Sequence, residues 1–381
     1  MRRAALASGV ALVVGASAAA FHPTASIALV LSLVVLVWVF SSALNPTLAF
    51  IVLLVLRPTD LFPALSVIQP VKLVGLLAIL TWLVSKLLRG DLHVSRAPHG
   101  KWMLGLFVGV LLSSAFSSNR AASMQLLTDV FSKLLVMYVL IAQLVDTKPR
   151  AVKLHLTLAL CTAGLAVYAL VLRMTGLAEI EGNRASFVGL LGDPNDLALV
   201  LLMYIPLFAE LVMESRGVRR MAWLIPLAIL VLGVFVTVSR GGVLGLMFAL
   251  GISVYDRCSV RLRLTLMPIL AAVMLGLLLL AGVNQRSSGT IDQGQLDASS
   301  QGRLDAWESG ARMTLHHPLL GVGFGQFAVN YMSYARDPTH WGPIETHNSF
   351  IKVAAETGLL GFIPFMALVL LTFRSAYELR K

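Results

Sequence analysis

Apolar runs of about 20 residues recur along the whole chain, and this one feature leaves few folds open. Each run is long enough to cross a hydrocarbon core of about 30 Å. Lipid offers no partners to an exposed backbone, so a crossing segment closes its hydrogen bonds within itself, as a helix. Charge is correspondingly scarce: 57% of the 381 residues are hydrophobic and 13% are charged, against about 25% charged in a soluble domain. The runs fall at about 4–21, 25–40, 46–56, 68–88, 102–117, 126–145, 152–172, 195–214, 221–238, 242–256, 264–282 and 348–373. The expectation is an all-α polytopic membrane protein, a single domain over 1–381 with about twelve transmembrane helices.

The formal net charge of +11 suggests a nucleic-acid partner until its placement is considered. With Arg2 and Arg3 inside, every second connection is cytoplasmic. Those connections hold Lys86, Arg89, Arg96 and Lys101, then Lys148, Arg150 and Lys153, then Arg216, Arg219 and Arg220, then Arg257, Arg261 and Arg263. The tail adds Arg374, Arg380 and Lys381. More than half of the 30 Lys and Arg thus lie on one side, the positive-inside pattern, with both termini cytoplasmic and no nucleic acid implied. The first run has a basic start and Ala18–Ala20 behind it, as a cleaved signal peptide does, but its removal would upset this alternation. Cys161 falls within a run and Cys258 at a cytoplasmic end, so the two make no disulfide framework.

Two external connections are long. One runs from about Arg173 to Asn195 and carries Glu179, Glu181, Asn183, Arg184, Asp193 and Pro194. The other, 283–347, is inserted before the last transmembrane helix and is the one long polar segment of the chain. Its first part, Asn284 to Gln301, reads as a flexible loop, rich in Ser, Gln, Gly and Asp. Arg303 to Leu315 then has a helical pattern, with Leu304, Trp307, Ala311 and Leu315 on one face. Pro318 and the glycines at 321, 323 and 325 end it. The cytoplasmic links are short and basic, so any chemistry is expected on the external side, where loops are free to carry it.

Arg240, in VTVSRGGVLG, lies between two apolar runs, where a charge is expensive and points to function. A snorkelling interfacial arginine is the plain alternative. Gly241 and Gly242 favour an anion-binding corner, because they let the backbone turn and expose amides beside the guanidinium. Arg184 alone is an ordinary loop arginine. It gains weight from company: Arg57, Lys72, Arg120, Arg173, Arg184 and Arg240 all fall near external ends of runs, where basic residues are disfavoured and call for an anion. A pyrophosphate suits arginine better than a lipid head group, because the fork matches phosphate bidentately. Lys133, inside the sixth run, pairs with a neighbour or faces a cavity. His347 falls where the long loop re-enters the membrane, with Asn348 after it, and histidine is suited to taking a proton near neutral pH. Glu345 and Glu356 are near enough in sequence to orient its ring. His316, His317, His340 and His347 are half of the eight histidines, yet no metal-ligand spacing links them, and no metal or other cofactor is expected. Gly321-x-Gly323-x-Gly325 opens no βαβ unit, so it reads as a close-packing turn rather than a dinucleotide motif.

Taken together, FVGLLGDPNDLAL (187–199), SRGG (239–242), GRLDAWESGARMTLHHPLLGVGFGQF (302–327) and THNSFIKVAAETGLLG (346–361) resemble the O-antigen ligase and polymerase superfamily in order and spacing. The N-terminal half resembles it only as a run of hydrophobic helices, and the chain stops at Lys381, where many relatives carry further residues. The resemblance implies a metal-independent inverting glycosyltransferase of the GT-C type in the bacterial inner membrane, with 283–347 as a periplasmic loop. Its donor would be a glycan on undecaprenyl pyrophosphate. Its acceptor would be a hydroxyl of a glycan, a lipid A-core or a protein, with membrane lipid around it.

By motif, Arg184 and Arg240 correspond to the family's pyrophosphate-holding arginines and His347 to its essential histidine, while Arg303 matches a recurrent loop arginine of open role. Lys72, Arg120 and Asn348 are further expected substrate contacts. On this reading the long loop folds back onto the turns carrying Arg184 and Arg240. A transporter or flippase is the rival class, but polar residues crowd the external ends rather than the midplane, and the halves do not mirror each other. A purely structural subunit would leave the external arginines without purpose.

Overall fold

A computed structural model describes residues 37–90, 99–176, 184–187, 191–255, 291–292, 295–296, 298–336 and 344–380, with isolated positions between 265 and 276. The helices are α1 (Leu44–Leu56), α2 (Pro70–Leu88), α3 (Gly100–Ala115), α4 (Arg120–Leu144), α5 (Lys148–Thr175), α6 (Pro194–Leu202), α7 (Ile205–Glu214), α8 (Gly217–Val236), α9 (Arg240–Tyr255), α10 (Ala298–His316), α11 (Phe327–Tyr334) and α12 (Ser349–Arg380). Among the described residues, α2, α4, α5, the α6–α7 pair, α8 and α12 are six segments long and apolar enough to cross a membrane. The segments Leu44–Leu56, Gly100–Ala115 and Arg240–Gly251 are shorter apolar helices. This is a multi-pass helical membrane protein. The expected spans at 4–21 and 264–282, and most of that at 25–40, lie outside the described residues.

Local chemistry places the ends. Arg57 closes α1 in the left-handed region, its amide bonded to Leu53 O at 3.1 Å, and Pro58 cannot continue the helix. Proline opens α2 at Pro70 and α6 at Pro194, where the missing N–H would have no partner anyway. Asn119 caps α4, its side chain accepting from the Ala122 amide at 3.2 Å. Within α4, Leu127–Phe131 winds as a π-turn. The segment expected as a loop at 284–301 contains a two-residue antiparallel pair, Ile291–Asp292 with Gln295–Leu296, and the start of α10.

Contacts group the chain into two units: Met1–His93 with Val139–Ser259, and Val94–Tyr138 with Val260–Lys381. In the first, Leu165, Leu197, Leu201, Ile205, Phe208 and Leu230 make the core. In the second, α3 and α12 meet backbone to backbone. A Cβ on Gly109 would lie 2.7 Å from Gly361 Cα, the small-residue contact that lets helices associate in lipid. Next to it, Ala306, Met313, Val322, Phe327, Tyr331 and Ala355 form a cluster joining α10, α11 and α12.

Helix α10 packs by its small residues. Leu304, Trp307, Ala311 and Leu315 do share a face, but it is the exposed one, with Leu315 78% exposed. Ala306, Ser309, Gly310 and Met313 are buried instead, because small residues let α10 lie close on α12. Helix α12 breaks at Gly358, whose φ of 57° no ordinary side chain adopts readily. The loop before α11 laces over that break: the amides of Leu359 and Leu360 donate to Pro318 O and Leu319 O, and those of Val322 and Gly323 donate to Ala355 O and Glu356 O. Gly321, Gly323 and Gly325 all take positive φ here, so the glycine run is the close-packing turn its sequence suggested.

Candidate functional site

In the first unit, three distant stretches meet at the head of α9. Ser239 caps that helix, its Oγ accepting from the Gly242 amide at 3.1 Å. The same hydroxyl donates to Asn195 Oδ1 at 2.8 Å, tying the α8–α9 turn to the start of α6. Asn195 is itself set by Asp193, which caps α6 and accepts from the Asn195 amide at 2.6 Å. Arg184 completes the knot. Its Nη2 donates to Asn195 Oδ1 at 3.0 Å and its Nε to Thr237 O at 3.1 Å, while the Ala185 amide donates to Val236 O at 2.9 Å. Val238 between these anchors takes φ 50°, an outlier for a β-branched residue that persists only where the surroundings over-determine it.

Arg184 is therefore 5% exposed, its guanidinium turned to protein acceptors, whereas Arg240 is half-buried at the first position of α9. A helix N-terminus is already a positive pole, and a guanidinium there makes the spot more so, which favours an anion. The Gly242 amide is committed to Ser239, so it does not serve as the exposed donor that the sequence suggested. Its role is steric: a Cβ there would lie 2.8 Å from Ala198 Cβ on α6, while the nearest atom to a Cβ on Gly241 is 4.0 Å away. Gly242→Ala is accordingly expected to destabilise by about 1–3 kcal/mol through overpacking. Gly241→Ala should be neutral or slightly stabilising, since alanine is the better helix former. Thermal unfolding of the two purified variants in detergent checks this, and equal midpoints would contradict it. Lys72 is exposed in the first turn of α2, and Arg57 is answered within the chain by Asp60 at 2.6 Å.

In the second unit, His347 precedes α12 with φ 47° and an exposed ring. Its neighbours hold the turn. Thr346 is buried and its Oγ1 accepts from the Asn348 amide at 3.2 Å. Asn348 Oδ1 caps the helix, accepting from the amides of Phe350 and Ile351 at 3.0 and 3.3 Å. Trp307 Nε1, on α10, donates to Thr346 O at 2.9 Å. Arg303 lies one turn before Trp307 and so on the same side of α10. Arg120 is exposed at the start of α4, beside the Ser117–Asn119 turn that packs on the glycine run.

The two carboxylates expected to orient His347 have other partners. Glu345 pairs with Lys352 at 2.6 Å. Glu356, 3% exposed, accepts from the amides of Gly325 and Phe327 at 2.9 and 3.3 Å. His316 and His317 flank Tyr334, with His317 Nε2 2.9 Å from its hydroxyl. Among the described residues no three His, Cys, Asp or Glu side chains converge as metal ligands would. Asn195, Ser239 and Trp307 were not singled out from sequence. The Asp-Pro-Asn run and the Ser three residues before Gly242 are cap signatures that mark the first two, whereas nothing local marks an indole bonded 39 residues away.

Apolar helices with hydrogen-bonded polar turns at their heads are the architecture of a multi-pass membrane protein. Residues 225–366 match the family model for O-antigen ligase, a likeness that extends over that stretch of the chain. The matched stretch contains Arg240, Arg303, His347 and Asn348; Arg184, Arg120 and Lys72 precede it. No curated protein and no solved structure matches the chain.

Proposed function

We propose that the protein is an inverting membrane glycosyltransferase that moves a glycan from undecaprenyl pyrophosphate to an acceptor hydroxyl at the periplasmic face of a bacterial inner membrane. The observation that carries this reading is Arg240 at the head of an apolar helix, braced from below by the Arg184–Asn195–Ser239 knot. A rigid cationic fork at the end of a membrane helix suits a pyrophosphate whose lipid tail lies in the bilayer.

The reaction is a single displacement. The acceptor oxygen bonds to the anomeric carbon as the bond from that carbon to the phosphate oxygen breaks. The acceptor proton passes to His347, and undecaprenyl pyrophosphate departs with its charge held by Arg240. Arg184 acts as a positioning residue for that corner, and Asn348 and Arg303 flank the histidine. Lys72 and Arg120 remain further candidates for the anionic substrate. The donor bond supplies the energy, so neither nucleotide nor metal is called on. The basic links between spans put both termini in the cytoplasm, which leaves these turns on the outer side.

The test is transfer by the purified protein in lipid, with an undecaprenyl-pyrophosphate glycan and three acceptors: lipid A-core, a second lipid-linked glycan, and a Ser- or Tyr-containing peptide. The acceptor used separates ligase, polymerase and protein glycosyltransferase. Arg240→Ala should lower transfer about 10²-fold or more, the usual loss for one oxyanion-stabilising donor. Transfer by wild type to none of the acceptors would overturn the proposal in favour of a transporter.

A further inference from the structure

We infer that Trp307 is a positioning residue for His347, acting through the carbonyl of Thr346. This rests on the proposed role of the His347 imidazole and adds to it the group that aims the ring.

A residue in the left-handed region relaxes unless its surroundings hold it there. Most bonds around His347 are local: Thr346 Oγ1 with Asn348, Asn348 Oδ1 with the first amides of α12, and Lys352 N with Asn348 O at 2.9 Å. They define a helix start, but helix starts form with many backbone directions before them. The Trp307 indole is different, because it reaches from α10 and fixes the peptide that enters His347. Its own helix has little freedom there: a Cβ on Gly310 would lie 2.4 Å from Ile351 Cγ2, so α10 lies tight against the first turn of α12.

The indole's exposure separates this role from packing. Phe327 and Tyr331 in the neighbouring cluster are fully buried, whereas Trp307 is 36% exposed. Its ring is partly outside the core while its N–H is spent on a buried residue. Without that donor the peptide between Thr346 and His347 loses its tie to α10, and the direction of the Cα–Cβ bond of His347 is less firmly set. The imidazole then leaves the place where it meets the acceptor hydroxyl, and displacement of a catalytic group costs turnover rather than donor binding.

The experiment uses the full-length protein in lipid and three replacements at the indole. Trp307→Phe and benzothienylalanine at 307, which keeps the bicyclic shape without the N–H, should each lower kcat about tenfold, the scale of one hydrogen bond. The donor KM and the thermal midpoint should stay at wild-type values, and 5-fluorotryptophan, which keeps the N–H, should restore kcat. Wild-type kcat in both N–H-free variants, alongside an inactive His347→Asn, would overturn the inference while leaving the histidine reading intact. A loss of kcat that tracks a lower midpoint would make Trp307 a packing residue and overturn it equally. Wild-type turnover by His347→Asn would sink the histidine reading and this inference together.

Discussion

Replacing His347 by alanine is expected to slow glycan transfer by about 10²–10⁴-fold, the usual worth of a positioned general acid–base group. The structure makes this a clean substitution. His347 is exposed, so its removal opens no buried cavity, and Thr346 and Asn348 supply cap bonds to the helix start beside it. The remaining concern is the left-handed backbone, which alanine tolerates poorly. His347→Asn answers it, because asparagine adopts that conformation readily and carries no base of suitable strength. His347→Asn should unfold at the wild-type temperature and bind donor normally. Transfer within a few-fold of wild type by His347→Asn would exclude the imidazole from proton transfer.

The second large effect concerns Glu356. Its carboxylate is buried and satisfies two amides of the loop, Gly325 and Phe327, while its main-chain oxygen takes Ser113 Oγ at 2.6 Å and the Gly323 amide at 3.1 Å. Glu356→Ala keeps the main-chain bonds and strands the two amides beside a cavity. Each stranded donor costs about 1–3 kcal/mol, so a loss of roughly 3 kcal/mol or more is expected. Glu356→Gln retains one acceptor oxygen and should lose about half as much. Thermal unfolding in detergent should rank them wild type, Gln, Ala, and an alanine variant as stable as wild type would show that the loop does not depend on this carboxylate. Transfer should fall with stability, because the same segment of α12 carries His347 at its head.

Hydropathy located the membrane helices well. The runs read at 68–88, 152–172 and 348–373 correspond to Pro70–Leu88, Lys148–Thr175 and Ser349–Arg380. The interruptions inside them were not legible: the α6–α7 break at Met203–Tyr204, the π-turn at Leu127–Phe131 and the left-handed Gly358. Apolarity reports what a segment is dissolved in, and a change of hydrogen-bond register leaves it unaltered. Which face of α10 packs inward was not legible either. Leu304, Trp307, Ala311 and Leu315 share a face as their spacing suggested, but the small Ser309 and Gly310 let α10 close on α12, and a hydropathy pattern does not report backbone approach.

From residue order alone came the helical membrane class, the close-packing glycine run and the short set of polar residues able to do chemistry. Those follow from local rules: a crossing segment is helical, glycines let backbones approach closely, and charge near lipid is costly. The difference between the two arginines was not available there. Arg184 is buried because its acceptors, Asn195 and Thr237, stand 11 and 53 residues away in sequence, and folding brings them to it. Arg240, at the first position of α9 beside that knot, is only part-buried. Whether a charged side chain braces the protein or faces a substrate depends on partners that only the folded chain assembles.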